Sequence, residues 1–333
     1  NYKNFAIFNF SIIFHIKEFY MNVLVFPGQG SQKIGMGQNL YENFQEARDV
    51  FDQVDDALNF KLSSLIFEGE LSELSLTSNA QPALMACSIA ALRVLEKSCS
   101  KNFFEIFNFV CGHSLGEFTA LCASGVISLE DTAKLLKIRG DAMQKAVPAG
   151  EGAMAALLSS DFKQLEQLLV EVKKIGVCQI ANDNSNEQVV ISGSSIAVQE
   201  AVRIASKFSI KRSKLLNVSA PFHCQLMQPA QDMLKSELNS KKFLNPTVPI
   251  ICNYNAKPED NPDLLKKNII NQVTNKVRWR ETMDFVREKN VKQIVELGSG
   301  RVLTGISKKL SSEIDCYNIE TKVDLENNLF KFY

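Results

Sequence analysis

An excess of charge of either sign is missing from this chain: 37 basic side chains balance 37 acidic ones, and the formal net charge is zero. That balance argues against a surface built for nucleic acid or an anionic membrane, since both call for a positive field. Paired cysteines are missing too. The eight thiols (87, 99, 111, 122, 178, 224, 252 and 316) contain no Cys-x-x-Cys spacing and keep no histidine-rich company. Neither a disulfide framework nor a metal site is expected, and reduced thiols in a cytosol-like compartment fit better. Internal repeats and low-complexity linkers are absent. Histidine is scarce, with His15, His113 and His223 as the full set.

What is present reads as a globular protein of one large domain or two moderate ones: 333 residues, 45% hydrophobic and 22% charged. The first twenty residues stand apart, with five phenylalanines (5, 8, 10, 14, 19), four isoleucines and no arginine. Their apolar part, residues 5–16, is too short to span a bilayer and is interrupted by Asn9, Ser11 and His15. It lacks the arginines of a transit peptide and a small-residue cleavage site. Residues 1–20 are read as an atypical extension or start-site artefact, with Met21 as the natural beginning. An organelle-targeting remnant is the alternative.

The most informative run is Gly112-His113-Ser114-Leu115-Gly116, which follows the apolar Phe109-Val110-Cys111. A serine between glycines after a strand marks a nucleophile elbow: the small neighbours permit a sharp turn that presents Ser114 at the head of the next helix. There, free N–H groups and the positive dipole end favour an oxyanion. A tight strand–helix turn with an ordinary serine is the alternative. A serine hydroxyl needs a base, usually histidine. His15 lies in the extension. His113 directly precedes Ser114, and adjacent side chains on an extended strand point apart, so His113 is expected to pack beside the elbow or touch substrate. His223 remains, in Ser219-Ala220-Pro221-Phe222-His223, where Pro221 stiffens the loop.

Strand and helix patterns alternate, which predicts an α/β fold with a largely parallel sheet. Strands are expected at 23–26, 109–111 and 293–297, and helices at 39–58, 83–97, from near 115, at 131–147 and from near 302. Ser128 reads as a helix cap. After the break Pro148-Ala149-Gly150, strands at 152–158, 177–181, 188–193 and 211–218 alternate with helices at 161–174 and 195–208. That βαββαβ order is ferredoxin-like. Residues 148–218 are therefore read as a small lobe inserted into a large hydrolase-like parallel-sheet lobe formed by 21–147 and 219–333. A cleft between the lobes is the expected pocket.

Two further segments bear on that pocket. Gly28-Gln29-Gly30-Ser31-Gln32 lacks the P-loop lysine and the Rossmann spacing. It suits a loop whose Gln29 amide, with that of Leu115, completes an oxyanion hole; a glycine turn without chemistry is the alternative. Arg139 sits among apolar Leu135, Leu136 and Ile138. Pattern alone favours a solvated or salt-bridged arginine. Facing the cleft, it would instead grip a substrate carboxylate with two prongs.

Taken in order, these segments resemble malonyl-CoA:acyl carrier protein transacylases of type II fatty acid synthesis, across residues 21–310. The resemblance rests on Phe26-Pro27-Gly28-Gln29-Gly30-Ser31-Gln32, Thr77-Ser78-Asn79-Ala80-Gln81-Pro82-Ala83, the elbow with Glu117, and Ile138-Arg139-Gly140 with Met143-Gln144. It continues through Ser219-Ala220-Pro221-Phe222-His223, Val277-Arg278-Trp279 and Glu296-Leu297-Gly298-Ser299-Gly300-Arg301. It implies a malonyl ester on Ser114, His223 as base and then acid, and an oxyanion hole from the Gln29 and Leu115 amides. It further implies Arg139 on the malonyl carboxylate and Gln81 lining the pocket. Gln272 would orient the histidine through its carbonyl, and Phe222 would favour malonyl over methylmalonyl. No cofactor is implied beyond the coenzyme A thioester substrate and the carrier's phosphopantetheine. The implied partners are malonyl-CoA and acyl carrier protein, with neither nucleic acid nor membrane, and the chain is expected to be a cytoplasmic monomer. An organelle with type II synthesis is the alternative if residues 1–20 target the protein. The family usually has proline where Lys276 and Ser299 stand, so looser turns are expected there. A serine esterase or thioesterase is the competing enzyme class, and a non-catalytic carrier-binding scaffold is a third reading.

Overall fold

The first core strand, β1 (Met21–Phe26), is buried along Val23–Phe26 and lies in the middle of a six-stranded sheet. The structure, a computed structural model, describes residues 21–99, 102–158, 161–310 and 313–332; the extension 1–20 lies outside the described residues. Beside β1 run β2 (Phe109–Gly112) and, from late in the chain, β9 (Val291–Leu297), both parallel to it. β10 (Asp315–Ile319) extends the sheet beyond β9, and the short β7 (Ile250–Ile251) and β8 (Pro258–Glu259) extend it beyond β2, in the order β10-β9-β1-β2-β7-β8. Only β7 and β8 pair antiparallel. Near-continuous apolar runs such as Val23-Leu24-Val25-Phe26 belong to a parallel sheet covered on both faces.

One layer of that cover is the helix Thr77–Ser98, most of whose side chains are buried. It packs closely on the helix Leu129–Lys145, because a Cβ on Gly140 would overlap the Ser78 backbone. Only glycine permits this approach, and it brings Arg139 beside Gln81.

The second sheet is built from β3 (Gly152–Leu158), β4 (Cys178–Ser185), β5 (Gln188–Ser194) and β6 (Arg212–Leu215), all antiparallel in the order β4-β5-β3-β6. With the helices Phe162–Val172 and Ser195–Ile204 this is the ferredoxin-like arrangement. Alternation along β3 separates its faces. Ala155 and Leu157 pack into the core under the helices, while Met154 and Ala156 line the cleft.

The two sheets are stapled together. Val277 of the large lobe bridges Asn182 of β4, with Asp183 N donating to Val277 O at 2.9 Å and Val277 N to Ala181 O at 2.8 Å. The buried Asp183 carboxylate takes both prongs of Arg280, at 2.9 and 2.8 Å, and Lys276 Nζ stands 3.5 Å away. Lys276 also pairs with Glu281 at 3.1 Å, and Ser299 donates to Ser31 O at 2.7 Å. The turns where proline was missing are thus pinned by polar contacts rather than loosened.

Several elements depart from the sequence reading. The helix expected over 39–58 is two, Gln38–Asn43 and Gln45–Leu58, because Phe44 is extended at φ −134°. The helix expected from 83 begins at Thr77 and carries Pro82 inside it. β4 runs to Ser185, with register shifts after Ile180 and Asp183 that break the period-2 pattern. The last small-lobe strand ends at Leu215. The cap at Ser128 is as expected: its hydroxyl accepts from Asp131 N. Among the described residues, no helix is long and apolar enough to cross a membrane.

Candidate active site

β1 and β2 end side by side, Phe26 against Gly112, so the glycine loop and the elbow emerge together. The elbow turn is sharp. Ser114 has φ 55° and ψ −108°, a strained conformation for a residue with a side chain. A Cβ on Gly112 would overlap the Gly116 carbonyl, and one on Gly116 would overlap the Phe26 carbonyl. Both glycines are therefore required by close backbone approach. Ser114 caps the helix Leu115–Ala123 at its N-terminus.

His223 arrives from a tight loop, itself at φ 58°. Its Nε2 lies 2.7 Å from Ser114 Oγ and its Nδ1 2.9 Å from Gln272 O. A carbonyl can only accept, so Nδ1 carries the proton and the Nε2 lone pair faces the serine. Gln272 thus orients the ring through its main chain. Its side chain also points inward: Nε2 donates to Glu117 Oε2 at 2.6 Å and to Ser114 O at 2.9 Å, and Oε1 accepts from Arg139 Nη2 at 3.0 Å.

Arg139 is 2% exposed, which removes the solvated reading. Its Nη1 donates to Gln81 Oε1 at 2.6 Å and its Nη2 to Ser114 Oγ at 3.1 Å. Its Nε has no partner, and no carboxylate pairs directly with it among the described residues. The guanidinium sits 5.4 Å from the Phe118 ring centroid. A desolvated cation in the cleft wall with no carboxylate of its own favours an anionic group on whatever enters the cleft.

Burial sets the protonation states here. Desolvation and then the Arg139 cation push His223 down to about 3, so the free imidazole is neutral. Desolvation lowers His113 as well, and it lowers Arg139 to about 10. Glu117, buried under the elbow, is pushed up to about 7 by desolvation, partly offset by its hydrogen bonds.

These groups open on a cleft of about 930 Å³ between the sheets, within the usual range for a small-molecule site. Gln29, Leu115, Gln81, His113 and Phe222 all line it. Gln29 is steadied by Nε2 donating to Thr77 Oγ1 at 3.3 Å, and a Cβ on Gly28 would press on His113 O at 2.8 Å. Among the described residues the main-chain amides of Gln29 and Leu115 have no protein acceptor. His113 turns away from the nucleophile, its Nε2 3.0 Å from Asn184 Oδ1 and its ring beside Trp279. No cluster of His, Cys, Asp and Glu able to hold a metal exists among the described residues.

Two residues escaped the sequence reading. Asn253 clasps the elbow from below: Oδ1 accepts from Ser114 N at 2.8 Å and Nδ2 donates to Gly112 O at 2.8 Å. Glu117 was visible only as part of the elbow motif. Its signal was a lone charge in the otherwise apolar helix Leu115–Ala123.

The fold and the site define an α/β enzyme of the nucleophile-elbow type, with an arginine added to the pocket. Residues 23–320 match the acyl transferase domain family. The chain is 43% identical over 291 residues to a malonyl CoA-acyl carrier protein transacylase of Bacillus subtilis, covering 87% of this chain and 90% of that protein. Against the Escherichia coli K12 transacylase it is 37% identical over 286 residues, covering 86% and 91%. A solved acyl-carrier-protein-S-malonyltransferase from Bartonella henselae superposes with a TM-score of 0.91 at 49% identity, over 94% of this chain and 99% of that one. A malonyl-transacylase solved in complex with its type II PKS acyl-carrier protein gives 0.90 at 36% identity, over 93% and 99%. The chain belongs to the acyl transferase domain family, among its malonyl CoA-acyl carrier protein transacylases.

Proposed function

We propose that this protein moves the malonyl group from malonyl-CoA to the phosphopantetheine thiol of an acyl carrier protein, through a malonyl ester on Ser114, in fatty acid biosynthesis. The observation that carries the reading is a buried arginine touching the nucleophile: Arg139 Nη2 lies 3.1 Å from Ser114 Oγ. A plain esterase or thioesterase has no use for a desolvated cation at that point, and the Bacillus subtilis and Escherichia coli relatives are both named malonyl CoA-acyl carrier protein transacylases.

The cycle is ping-pong. As Ser114 Oγ attacks the thioester carbonyl, His223 Nε2 takes its proton, and the Gln272 carbonyl stabilises the imidazolium through Nδ1–H. The oxyanion is received by the Leu115 and Gln29 amides. The carbon–sulfur bond breaks, the proton passes to the departing sulfur, and coenzyme A leaves as thiol. The carrier's thiol then gives its proton to His223, its sulfur attacks the Ser114 ester, and the proton returns to Ser114 Oγ. Proton and acyl transfers complete the cycle without a cofactor. A malonyl carboxylate on Arg139 offsets the cation that depresses His223, so substrate raises the base's proton affinity. Phe222, in the cleft wall beside the base, is the residue we assign to exclusion of a methyl branch.

Seven of the eight described cysteines are buried, which suits thiols kept reduced in a cytoplasm-like compartment, and we take the protein to act as a monomer. Intact-mass measurement after mixing with malonyl-CoA tests the chemistry. One malonyl adduct on the wild type and none on Ser114→Ala is expected. No wild-type adduct, or equal adducts on both, defeats the reading.

A further inference from the structure

Beneath the nucleophile lies a carboxylate that the cycle above does not use. Glu117 is 1% exposed, on a helix whose other side chains carry no charge. Burying a carboxylate costs several kcal/mol unless its oxygens are well partnered, and an apolar side chain of similar volume often serves stability as well or better. The partners of Glu117 are specific. Its Oε2 accepts from Gln272 Nε2 at 2.6 Å and from Asn253 N at 3.1 Å, and the Cys252 thiol also reaches the carboxyl group.

The consequence falls on Gln272. A primary amide can turn over end for end, exchanging donor and acceptor. Glu117 Oε2, Ser114 O and Asn253 Oδ1 are all acceptors facing Gln272 Nε2, at 2.6, 2.9 and 3.3 Å. Flipped, the Gln272 oxygen would meet three acceptors and its nitrogen would meet the Arg139 guanidinium, a donor against a donor. With the amide held as it stands, Oε1 accepts from Arg139 Nη2 while Gln81 Oε1 accepts from Nη1. The guanidinium plane is thereby fixed by two amide oxygens in the wall of the cleft.

We propose that Glu117 is a positioning residue: its carboxylate locks the Gln272 side-chain amide, which aims Arg139 at the acyl group's carboxylate and so sets selectivity for a charged acyl chain. The inference rests on the malonyl-transfer reading and deepens it. The distance-ordered chain is Glu117 to Gln272 to Arg139, with Ser114 touched by the last two.

Ester-formation rates with malonyl-CoA and with acetyl-CoA, read by intact mass, test it on the wild type and three variants. Glu117→Gln keeps an acceptor toward Gln272 and is expected to retain the malonyl preference within about threefold. Glu117→Leu removes the acceptor, and Gln272→Met removes the amide while keeping the main-chain carbonyl on His223. Each is expected to lower the malonyl-over-acetyl ratio by about tenfold or more, the scale of one charge-assisted hydrogen bond. A merely structural Glu117 would lower the melting temperature and leave that ratio unchanged. Wild-type selectivity in Gln272→Met, or in folded Glu117→Leu, overturns the inference, as does a Glu117→Gln variant that loses as much selectivity as Glu117→Leu. Should Glu117→Leu not fold, Gln272→Met alone decides. A wild type that forms no ester sinks the malonyl reading and this one with it, whereas a normal wild type with unchanged variants sinks this one only.

Discussion

Arg139 and His223 meet on one atom: Ser114 Oγ takes a hydrogen bond from Arg139 Nη2 at 3.1 Å and lies 2.7 Å from His223 Nε2. The cation and the base come from opposite sides of the small-lobe insertion, one from the helix Leu129–Lys145 and the other from the loop ahead of the short helix Gln225–Met227. Their joint contact puts the proposed base and the proposed carboxylate-binding cation on the same hydroxyl.

Replacing Arg139 by alanine removes a buried charge that would be paired with substrate, a change worth about 2–5 kcal/mol in comparable settings. Malonyl loading of Ser114 should fall by roughly a hundredfold or more, with acetyl loading far less affected. Arg139→Lys should recover only part of the loss, since an ammonium cannot offer the fork. Rates with the two thioesters measure both effects; unchanged selectivity in Arg139→Ala would take that residue out of the acyl pocket.

His223 makes a pH prediction with a definite sign. Its folded value is held at about 3, below the ordinary 6.5, by burial and the Arg139 charge. The unfolded chain therefore binds a proton that the folded chain refuses between those values. Stability from this source is full above about pH 6.5 and declines as pH falls toward 3, by up to about 1.4 kcal/mol per unit. His113, also lowered by burial, adds in the same direction. Melting temperature followed from pH 7 to 4 should fall less steeply in His223→Gln than in the wild type. Parallel curves would mean the imidazole is not held neutral by the fold.

The elbow stores strain at Ser114, where φ is 55°. Alanine at this position loses the hydroxyl and keeps the strain; glycine loses the hydroxyl and relieves it. Ser114→Gly should melt above Ser114→Ala, by an amount equivalent to about 1–2 kcal/mol, with both variants inert in ester formation. Calorimetry showing the alanine variant equal or higher would remove strain as a property of the turn.

Much of this site could be read before any coordinates. Ser114 announced itself because two glycines at fixed spacing are what close backbone approach demands. His223 followed because so few histidines compete. Arg139 stayed ambiguous, since an arginine among leucines looks the same whether its helix faces solvent or a cleft. Glu117 left a faint mark as a lone charge on an apolar helix, and Asn253 left none. The missed strands have physical reasons as well: β7 and β8 have two residues each, and β4 breaks its alternation at two register shifts.

The sequence by itself determined the kinds of element, the βαββαβ order of the small lobe, and the candidates for nucleophile and base, because these depend on local spacing and on which residue types exist at all. Only the tertiary structure decided which nitrogen of His223 holds the proton, how the Gln272 side chain is engaged, and how far burial drives each titration. Those facts depend on contacts across 109 residues between Ser114 and His223 and 158 between Ser114 and Gln272. Contacts of that range are set by how the strands, helices and loops of the large lobe pack together, not by any local preference of the chain.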